Sequence, residues 1–195
     1  MASNKSHEKE LLLYLLDAVD NIRLVDPEDI PNIDLYMDQV TTFMEAHLGS
    51  TRRGTDDKVL TKTMINNYTK NHLLPPPEKK KYSKDHILLL ILIYYYKNVL
   101  SLQDIQALLQ PLPGHCRREG ADLADIYDEV FRNEMMQMDA VKEDVMSRAE
   151  RCAQAFPDVV EEERSFFQLF SLISDLTLDV YLKKKIIEKL IDQLL

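Results

Sequence analysis

Apolar residues recur at helical spacing along most of the chain, and the breaks between these runs mark the predicted elements. Residues 8–25 carry Leu, Val and Ile at threes and fours, which predicts an amphipathic N-terminal helix. Asp26-Pro27 and Ile30-Pro31 follow it. Because a proline disfavours helical geometry in the residue before it, these two pairs are expected to end the helix and form a short extended linker.

A second amphipathic run follows the linker. We expect its helix to begin at Asn32 or Asp34, whose side chain would cap the free N–H groups of the first turn. Gly49 is the expected stop. The polar, turn-rich stretch Ser50 to Asp57 then predicts an exposed loop between two helices.

The next helix is short and has one polar face. Thr61 is a suitable N-cap for residues 62–71, where Met64, Ile65 and Tyr68 form the inward side. The opposite side carries hydroxyl, amide and ammonium groups. Three consecutive prolines, 75–77, then enforce an extended segment.

A strongly apolar helix is predicted over residues 84–98, capped by Ser83. Its centre is apolar on every side, so other elements must surround it and make it the hub of the fold. Ser101 and Asp104 resemble a capping box that starts the following helix. Pro111 and Pro113-Gly114 are expected to end that helix.

The C-terminal part is predicted to be helical as well. After a loop at His115 to Gly120, apolar residues including Leu123, Val130 and Val141 recur at threes and fours up to Pro157, which one long helix explains. Residues 158–195 contain neither Gly nor Pro and predict one or two further helices.

These elements predict an all-α protein with three parts. Residues 1–29 form an N-terminal helix, residues 30–114 a head, and residues 115–195 a C-terminal helical dimerisation or effector region. The loop at His115 to Gly120 is the expected boundary between the last two parts.

Composition narrows the class of protein. Hydrophobic residues make up 45% of the chain and charged residues 29%, with only four Gly, which is typical of an ordinary helical globular protein. Cys116 and Cys152 lie far apart and belong to no metal-binding spacing, so we expect neither a zinc site nor a disulfide framework, and a cytoplasmic location. The apolar run Ile87 to Tyr96 is about half the length that a membrane crossing needs.

Charge is distributed unevenly along the chain, although the net charge is −9. Residues 1–51 carry 3 basic and 10 acidic groups, residues 52–97 carry 10 and 4, and residues 98–195 carry 11 and 19. A basic segment between two acidic ones is typical of a nucleic-acid-binding head on an acidic scaffold, although clustered surface lysines also occur without function.

The middle of the chain resembles a known DNA-binding head. Thr61 to Lys70, His72-Leu73-Leu74-Pro75-Pro76, Lys79 to Ser83 and Ser101 to Leu109 follow one another in the order of the winged helix-turn-helix head of MerR-type regulators. Two features differ from that pattern. The Glu78 to Lys81 segment, called the basic turn below, lacks the usual Asn-Gly. It is expected to be at most a vestigial wing, a tight turn without strands. The linker from Gly49 to Leu60 is long.

A second resemblance covers roughly residues 30–150. Ile33 to Val40 and Leu60 to Tyr68 are similar to the hallmarks of the YkrK-like family of Gram-positive bacterial proteins, a domain of unknown function. The resemblance implies a DNA-binding repressor with a MerR-like head.

The residue types independently fit DNA recognition. Short polar side chains and amides at the exposed start of a helix can contact base edges, while neighbouring cations hold phosphates. Asn66 or Asn67 can pair with adenine through two hydrogen bonds. The candidate DNA-binding residues are Thr61, Lys62, Thr63, Asn66, Asn67, Lys70, Lys79, Lys80, Lys81, Arg52 and Arg53. The alternative is that they form an ordinary solvated polar face.

Other candidate groups have plainer interpretations. Tyr94, Tyr95 and Tyr96 can stack on bases, but in an apolar helix packing inside the protein or at a subunit interface is favoured. His115-Cys116 can form a nucleophile pair, and Met135, Met136 and Met138 can line an effector pocket. A loop position and core filling, respectively, explain them more simply.

Enzyme signatures are absent: the sequence contains no P-loop, GxGxxG, HExxH or GxSxG motif. We therefore expect no catalytic residues, no metal and no cofactor. The first hypothesis is a homodimeric transcription regulator that binds double-stranded DNA. The alternative is a helical protein-interaction module without DNA binding, and an enzyme comes third.

Overall fold

The computed structural model describes residues 25–52, 54 and 57–194, except for the side chains of 134–138. The predicted N-terminal helix lies outside this range, apart from Val25. Over the described residues the fold is mainly helical, which confirms the predicted class. The helices are α1 (Met37–Leu48), α2 (Lys62–Lys70), α3 (Lys84–Tyr96), α4 (Leu102–Leu109), α5 (Leu112–Glu119), α6 (Leu123–Cys152) and α7 (Glu161–Ile191).

One small sheet accompanies the helices. Strands β1 (Leu35–Tyr36) and β2 (Lys81–Tyr82) pair antiparallel, with Leu35 opposite Tyr82 and Tyr36 opposite Lys81. The chain divides into two compact units. Of the described residues, the first unit contains those of 25–133 and 188–194, and the second contains 134–187. The functional division into a head and a dimerisation region stays a prediction.

Helix α3 is the hub of the first unit, as its sequence predicts. All eight residues from Ile87 to Tyr94 are buried, so every side of the helix faces protein rather than water. The start of α3 is closed by a cap in which His86 Nδ1 accepts a hydrogen bond from the Ser83 backbone N–H at 3.1 Å. Strand β2 and helix α4 pack against α3.

Helix α1 begins later than its sequence predicts. Neither Asn32 nor Asp34 caps it, because Leu35 and Tyr36 are drawn into the sheet and keep an extended backbone. The first turn is closed instead by Gln39 Oε1, which accepts from the Tyr36 N–H at 2.9 Å. The predicted end is confirmed: α1 stops at Leu48, and a 3-10 turn, Gly49–Thr51, follows.

The predicted loop at His115 to Gly120 is wrong, because most of it lies in helix α5. Pro111 caps this helix and Pro113 lies in its first turn. The first-turn N–H groups of a helix have no intrahelical partner, so a proline costs little there and starts a helix instead of preventing one. Gly120, with φ 66°, ends α5 in the left-handed conformation that favours glycine.

Helix α6 confirms the prediction of one long helix, but its buried positions differ from the expected ones. Leu123, Tyr127 and Phe131 are buried, whereas Val130 is 45% exposed. The Tyr127 hydroxyl donates a hydrogen bond to the Val25 carbonyl oxygen at 2.7 Å, and burial raises the pKa of this phenol. Aromatic residues therefore define the inner side of α6 in the first unit.

Helix α7 is a single helix of 31 residues, which decides between the one or two helices predicted. Across the described ranges, no helix combines the length and the apolar content that crossing a membrane requires.

Candidate nucleic-acid interface

Helix α2 presents one polar face to solvent. Thr61 Oγ1 accepts a hydrogen bond from the Met64 backbone N–H at 3.1 Å and so closes the first turn. Ile65 and Tyr68 anchor the inner side in the core. The exposed side carries Lys62, Thr63, Asn66, Asn67 and Lys70. These positions repeat at helical spacing, so their side chains share one face.

The chain leaves α2 through a fixed connection. The backbone N–H groups of Leu73 and Leu74 both donate to the Tyr68 carbonyl oxygen, at 2.8 and 3.2 Å. Both leucine side chains are buried, whereas Pro75 and Pro76 are exposed. No helix forms over the prolines, in agreement with the sequence prediction. The connection thus leads from the end of α2 to the basic turn.

The basic turn is tight and has an unusual backbone. The Lys81 N–H donates to the Glu78 carbonyl oxygen at 2.8 Å, and the two residues between them, Lys79 and Lys80, have φ values of 50° and 66°. Two consecutive positive φ values are the pattern of a type I′ turn, which favours Asn and Gly. Each lysine held in this region costs about 1 kcal/mol relative to glycine.

The prediction that the basic turn has no strands is wrong, because Lys81 and Tyr82 form β2. The missing Asn-Gly does not prevent the hairpin-like turn: Lys79 and Lys80 adopt the required backbone themselves. Tyr82 is buried and meets the His86 ring edge to face at 5.6 Å between centroids. The C-terminal end of the basic turn is therefore attached to the first turn of α3.

Two cationic segments, the first turn of α2 and the basic turn, both lie next to the start of α1. Lys62, the first residue of α2, forms an ion pair with Asp38. The ammonium nitrogen of Lys81, at the end of the basic turn, lies 5.2 Å from the ring centroid of Tyr36. Tyr36 and Asp38 are two residues apart, so their Cα atoms are within about 8 Å of each other. The first turn of α2 and the basic turn therefore border the same short segment of the chain.

Tyr36 is a member of this surface that the sequence analysis did not select. Its side chain is 54% exposed, next to the Lys81 ammonium group. An exposed tyrosine in the sequence Leu35-Tyr36-Met37 carries no distinguishing signal, because all three residues look apolar. Only the strand pairing shows that Leu35 points inward and Tyr36 outward.

Two cations of the basic segment 52–97 support the fold. The Arg52 guanidinium donates to the carbonyl oxygens of Gly49 and Asp57, both at 3.0 Å, and forms a 2.8 Å ion pair with Glu45. Lys97 Nζ donates to the Val59 carbonyl oxygen at 3.0 Å, and burial lowers its pKa. Arg53 lies outside the described residues. The other candidate DNA-binding cations belong to α2 and the basic turn.

The tyrosines of α3 pack inside the protein. Tyr94 is buried and its hydroxyl is hydrogen-bonded to Thr51. Tyr95 and Tyr96 are partly buried against the core, and burial raises the pKa of Tyr95 to about 12. The packing interpretation of these residues is confirmed.

The remaining chemical candidates are not assembled into a site. Cys116 is buried in α5, whereas the neighbouring His115 is exposed and contacts Arg118. The side chains of Met135, Met136 and Met138 lie outside the described residues. In the part of the chain that the structure describes, no cluster of His, Cys, Asp or Glu is suited to hold a metal ion.

Comparison with known proteins gives one match. The family model described as "Domain of unknown function (DUF1836)" matches residues 25–130, more than half of the chain. No curated protein and no solved structure matches the sequence. The matched range contains helices α1 to α5, the basic turn and the start of α6.

Proposed function

We propose that the chain, which belongs to the family DUF1836, binds double-stranded DNA and acts as a sequence-specific transcription regulator, in the simplest case a repressor. Helix α2 is the recognition helix and the basic turn is its phosphate-binding neighbour. The order of these parts is that of the MerR-type head and of the YkrK-like proteins that the sequence resembles, which supports the proposal.

The observation that carries the proposal is the meeting of two cationic segments at the start of α1. Lys62 pairs with Asp38, and Lys81 lies over Tyr36. Affinity for a duplex depends on several cations placed together, because each neutralised phosphate releases a condensed counterion. Exposed lysines on two elements that border one segment meet this requirement better than the same number scattered over the molecule.

The roles of the side chains follow from their chemistry. Asn66 and Asn67 are exposed on α2, and a carboxamide can make two hydrogen bonds to the N6 and N7 edge of adenine. Lys70, Lys79 and Lys80 carry ammonium groups on flexible stems, which suits contacts to phosphates and not to particular bases. Specificity is therefore assigned to the asparagines, and general affinity to the lysines.

The backbone of the basic turn also supports a role for its charges. Lys79 and Lys80 occupy positions where Asn and Gly are favoured. Residues that keep an unfavourable conformation are concentrated at functional sites, where their side chains are needed. Retaining two lysines there fits a phosphate contact.

Asp38 opposes DNA binding in the unbound protein, and its removal tests the proposal. Asp38→Asn is expected to raise the affinity for duplex DNA about three- to tenfold, because it frees Lys62 and removes a negative charge beside the phosphates. The ion pair is exposed, with side-chain accessibilities of 59% for Lys62 and 77% for Asp38. Its loss should therefore cost little stability.

The matched control is Asp125→Asn, which also removes an acid from the first turn of a helix, α6. Fluorescence anisotropy with a labelled duplex of random sequence measures both variants at low salt. The proposal requires tighter binding by Asp38→Asn alone. Equal affinities for the wild type and both variants, or no binding by any of them, would contradict it and favour the protein-interaction module.

A further inference from the structure

Polar side chains of helix α7 contact helix α6. Arg148 of α6 donates to Asp175 Oδ2 at 2.9 Å and lies 3.5 Å from Asp179. Gln168 Nε2 donates to the Ala153 carbonyl oxygen at 2.7 Å. Within the second unit, these polar contacts join α7 to the α6 segment and the turn after it. Leu172 and Leu176 are half-buried, whereas most of the other apolar residues of α7 are exposed.

Part of the exposed apolar surface of α7 follows a heptad repeat. One set recurs every seven residues, and its members are Phe166, Ile173, Val180 and Ile187, all of them exposed. A second set follows three residues later in each heptad and consists of Leu169, Leu176 and Lys183. We call these two sets the α7 seam. In heptad notation they occupy positions a and d.

The a positions of the seam lie on the opposite side of α7 from the polar contacts. Gln168 and Asp175 occupy position c of the same heptads and Asp179 occupies position g. At about 100° per residue, positions c and g lie roughly 160° and 120° from position a, whereas g lies only about 60° from d. The a positions and Leu169 are therefore exposed, whereas Leu176 is half-buried.

We propose that the α7 seam is the interface with a second copy of this chain, in a parallel, two-stranded coiled coil. Positions a carry mainly β-branched residues, Ile173, Val180 and Ile187, while the apolar d residues are leucines. This combination favours a parallel dimer, because the β-branched side chain fits the a packing geometry of two strands. All four a positions from Phe166 to Ile187 are apolar and exposed, although other apolar residues of α7, such as Leu178 and Ile186, are exposed outside the seam.

The exposed area is compatible with a dimer. Phe166, Leu169, Ile173 and Val180 are exposed over 63%, 57%, 55% and 58% of their surfaces. At roughly 100 Å² each, and with the neighbouring Phe170 and Ile187, they offer on the order of 600 Å², close to the roughly 800 Å² that each partner contributes to a standard interface. The heptad spacing continues in the sequence at Leu190 and Leu194.

Lys183 is the polar exception in the seam and sets its register. A single lysine among apolar core positions lowers the stability of a coiled coil but disfavours shifted registers and other oligomers. Its ammonium group lies 2.8 Å from Asp179 Oδ2 on the same helix, which holds the pKa of this carboxyl below its usual value. In an in-register pair each lysine thus keeps its own counter-charge.

Cysteine cross-linking tests the parallel arrangement. In the Cys152→Ser background, Val180→Cys places a thiol at an a position, where two parallel copies bring equivalent residues together. Leu182→Cys is the matched control, since Leu182 is 60% exposed, against 58% for Val180, but lies off the seam. Mild oxidation without DNA, followed by a non-reducing gel, should give a covalent dimer for Val180→Cys and little for Leu182→Cys.

Sedimentation of the full chain tests pairing itself. The wild type and Leu182→Glu should be dimers, whereas Val180→Glu should raise the dissociation constant roughly thirtyfold or more because it places a charge in the seam. Circular dichroism establishes that both variants remain helical. A monomeric wild type, as expected if residues 1–24 or another protein cover the seam, would overturn the proposal. Equal yields of covalent dimer for Val180→Cys and Leu182→Cys would also overturn it. That result is expected for an antiparallel pair, which does not place equivalent a positions side by side. Neither assay requires DNA binding.

Discussion

Replacing Lys79 by Asn and Lys80 by Gly should make the protein more stable and at the same time weaken its binding to duplex DNA. Both residues have positive φ values, 50° and 66°, and Asn-Gly is the favoured pair for a type I′ turn. We expect the free energy of unfolding to rise by about 1–2 kcal/mol, because the backbone strain at both positions is relieved without loss of a buried contact.

The same double substitution removes two phosphate-binding charges. The affinity for duplex DNA should fall roughly ten- to a hundredfold at about 0.1 M salt, and the slope of log affinity against log salt should lose about 2 units. Thermal denaturation and fluorescence anisotropy measure the two effects. A loss of binding in a more stable protein cannot be attributed to unfolding.

A control variant distinguishes local from general electrostatics. Arg117→Gln with Arg118→Gln removes the same number of charges from exposed positions on α5, outside the proposed surface. Its affinity should change far less than that of the turn variant, because exposed charges beyond about 10 Å are largely screened at this salt concentration. Equal losses for the two double variants would remove the basic turn from the mechanism.

Leu90→Ala should cause the largest loss of stability among the substitutions considered. Leu90 is fully buried at the centre of α3, which faces protein on every side. Removing its methyl-bearing branch leaves a cavity, so we expect the free energy of unfolding to fall by about 3 kcal/mol and the melting temperature by roughly 10 °C.

Leu102→Ala is the corresponding control, because Leu102 is 51% exposed at the start of α4. It should change the free energy of unfolding by about 0.5 kcal/mol or less. Denaturant titration compares the two variants. Similar losses would contradict the assignment of α3 as the hub.

The sequence predicted the helices best where caps and apolar periodicity agreed. Thr61 and Ser101 accept the cap hydrogen bonds expected of them, and the uniformly apolar centre of α3 requires burial on all sides. The start of α1 was missed because Leu35 and Tyr36 continue the same apolar pattern as the helix. Whether they pair with β2 depends on residues almost fifty positions later in the chain.

Proline caused the other clear error. Helix α4 ends before Pro111 as predicted, but the prediction did not allow for α5, which begins directly after it with Pro113 in its first turn. The position of a proline within its helix depends on where the preceding cap lies, and Pro111 provides that cap without a side-chain hydrogen bond. No local signal distinguishes this start from a loop.

The candidate surface was predictable in its residue types but not in its arrangement. Exposure of Thr63, Asn66 and Asn67 follows from the spacing of Ile65 and Tyr68. The pairing of Lys62 with Asp38 and the approach of Lys81 to Tyr36 depend on tertiary contacts between distant segments. The engagement of Arg52 by three partners was equally invisible in the sequence, because its partners include backbone carbonyl groups.

Salt dependence of the wild-type protein on a duplex of random sequence is the most direct test of DNA binding. If Lys62, Lys70, Lys79, Lys80 and Lys81 contact phosphates, log affinity should fall linearly with log salt, with a slope of about −4 to −5 for each bound copy. Binding that is absent at low salt, or that is present with a slope near zero, would contradict a phosphate-contacting surface built from α2 and the basic turn.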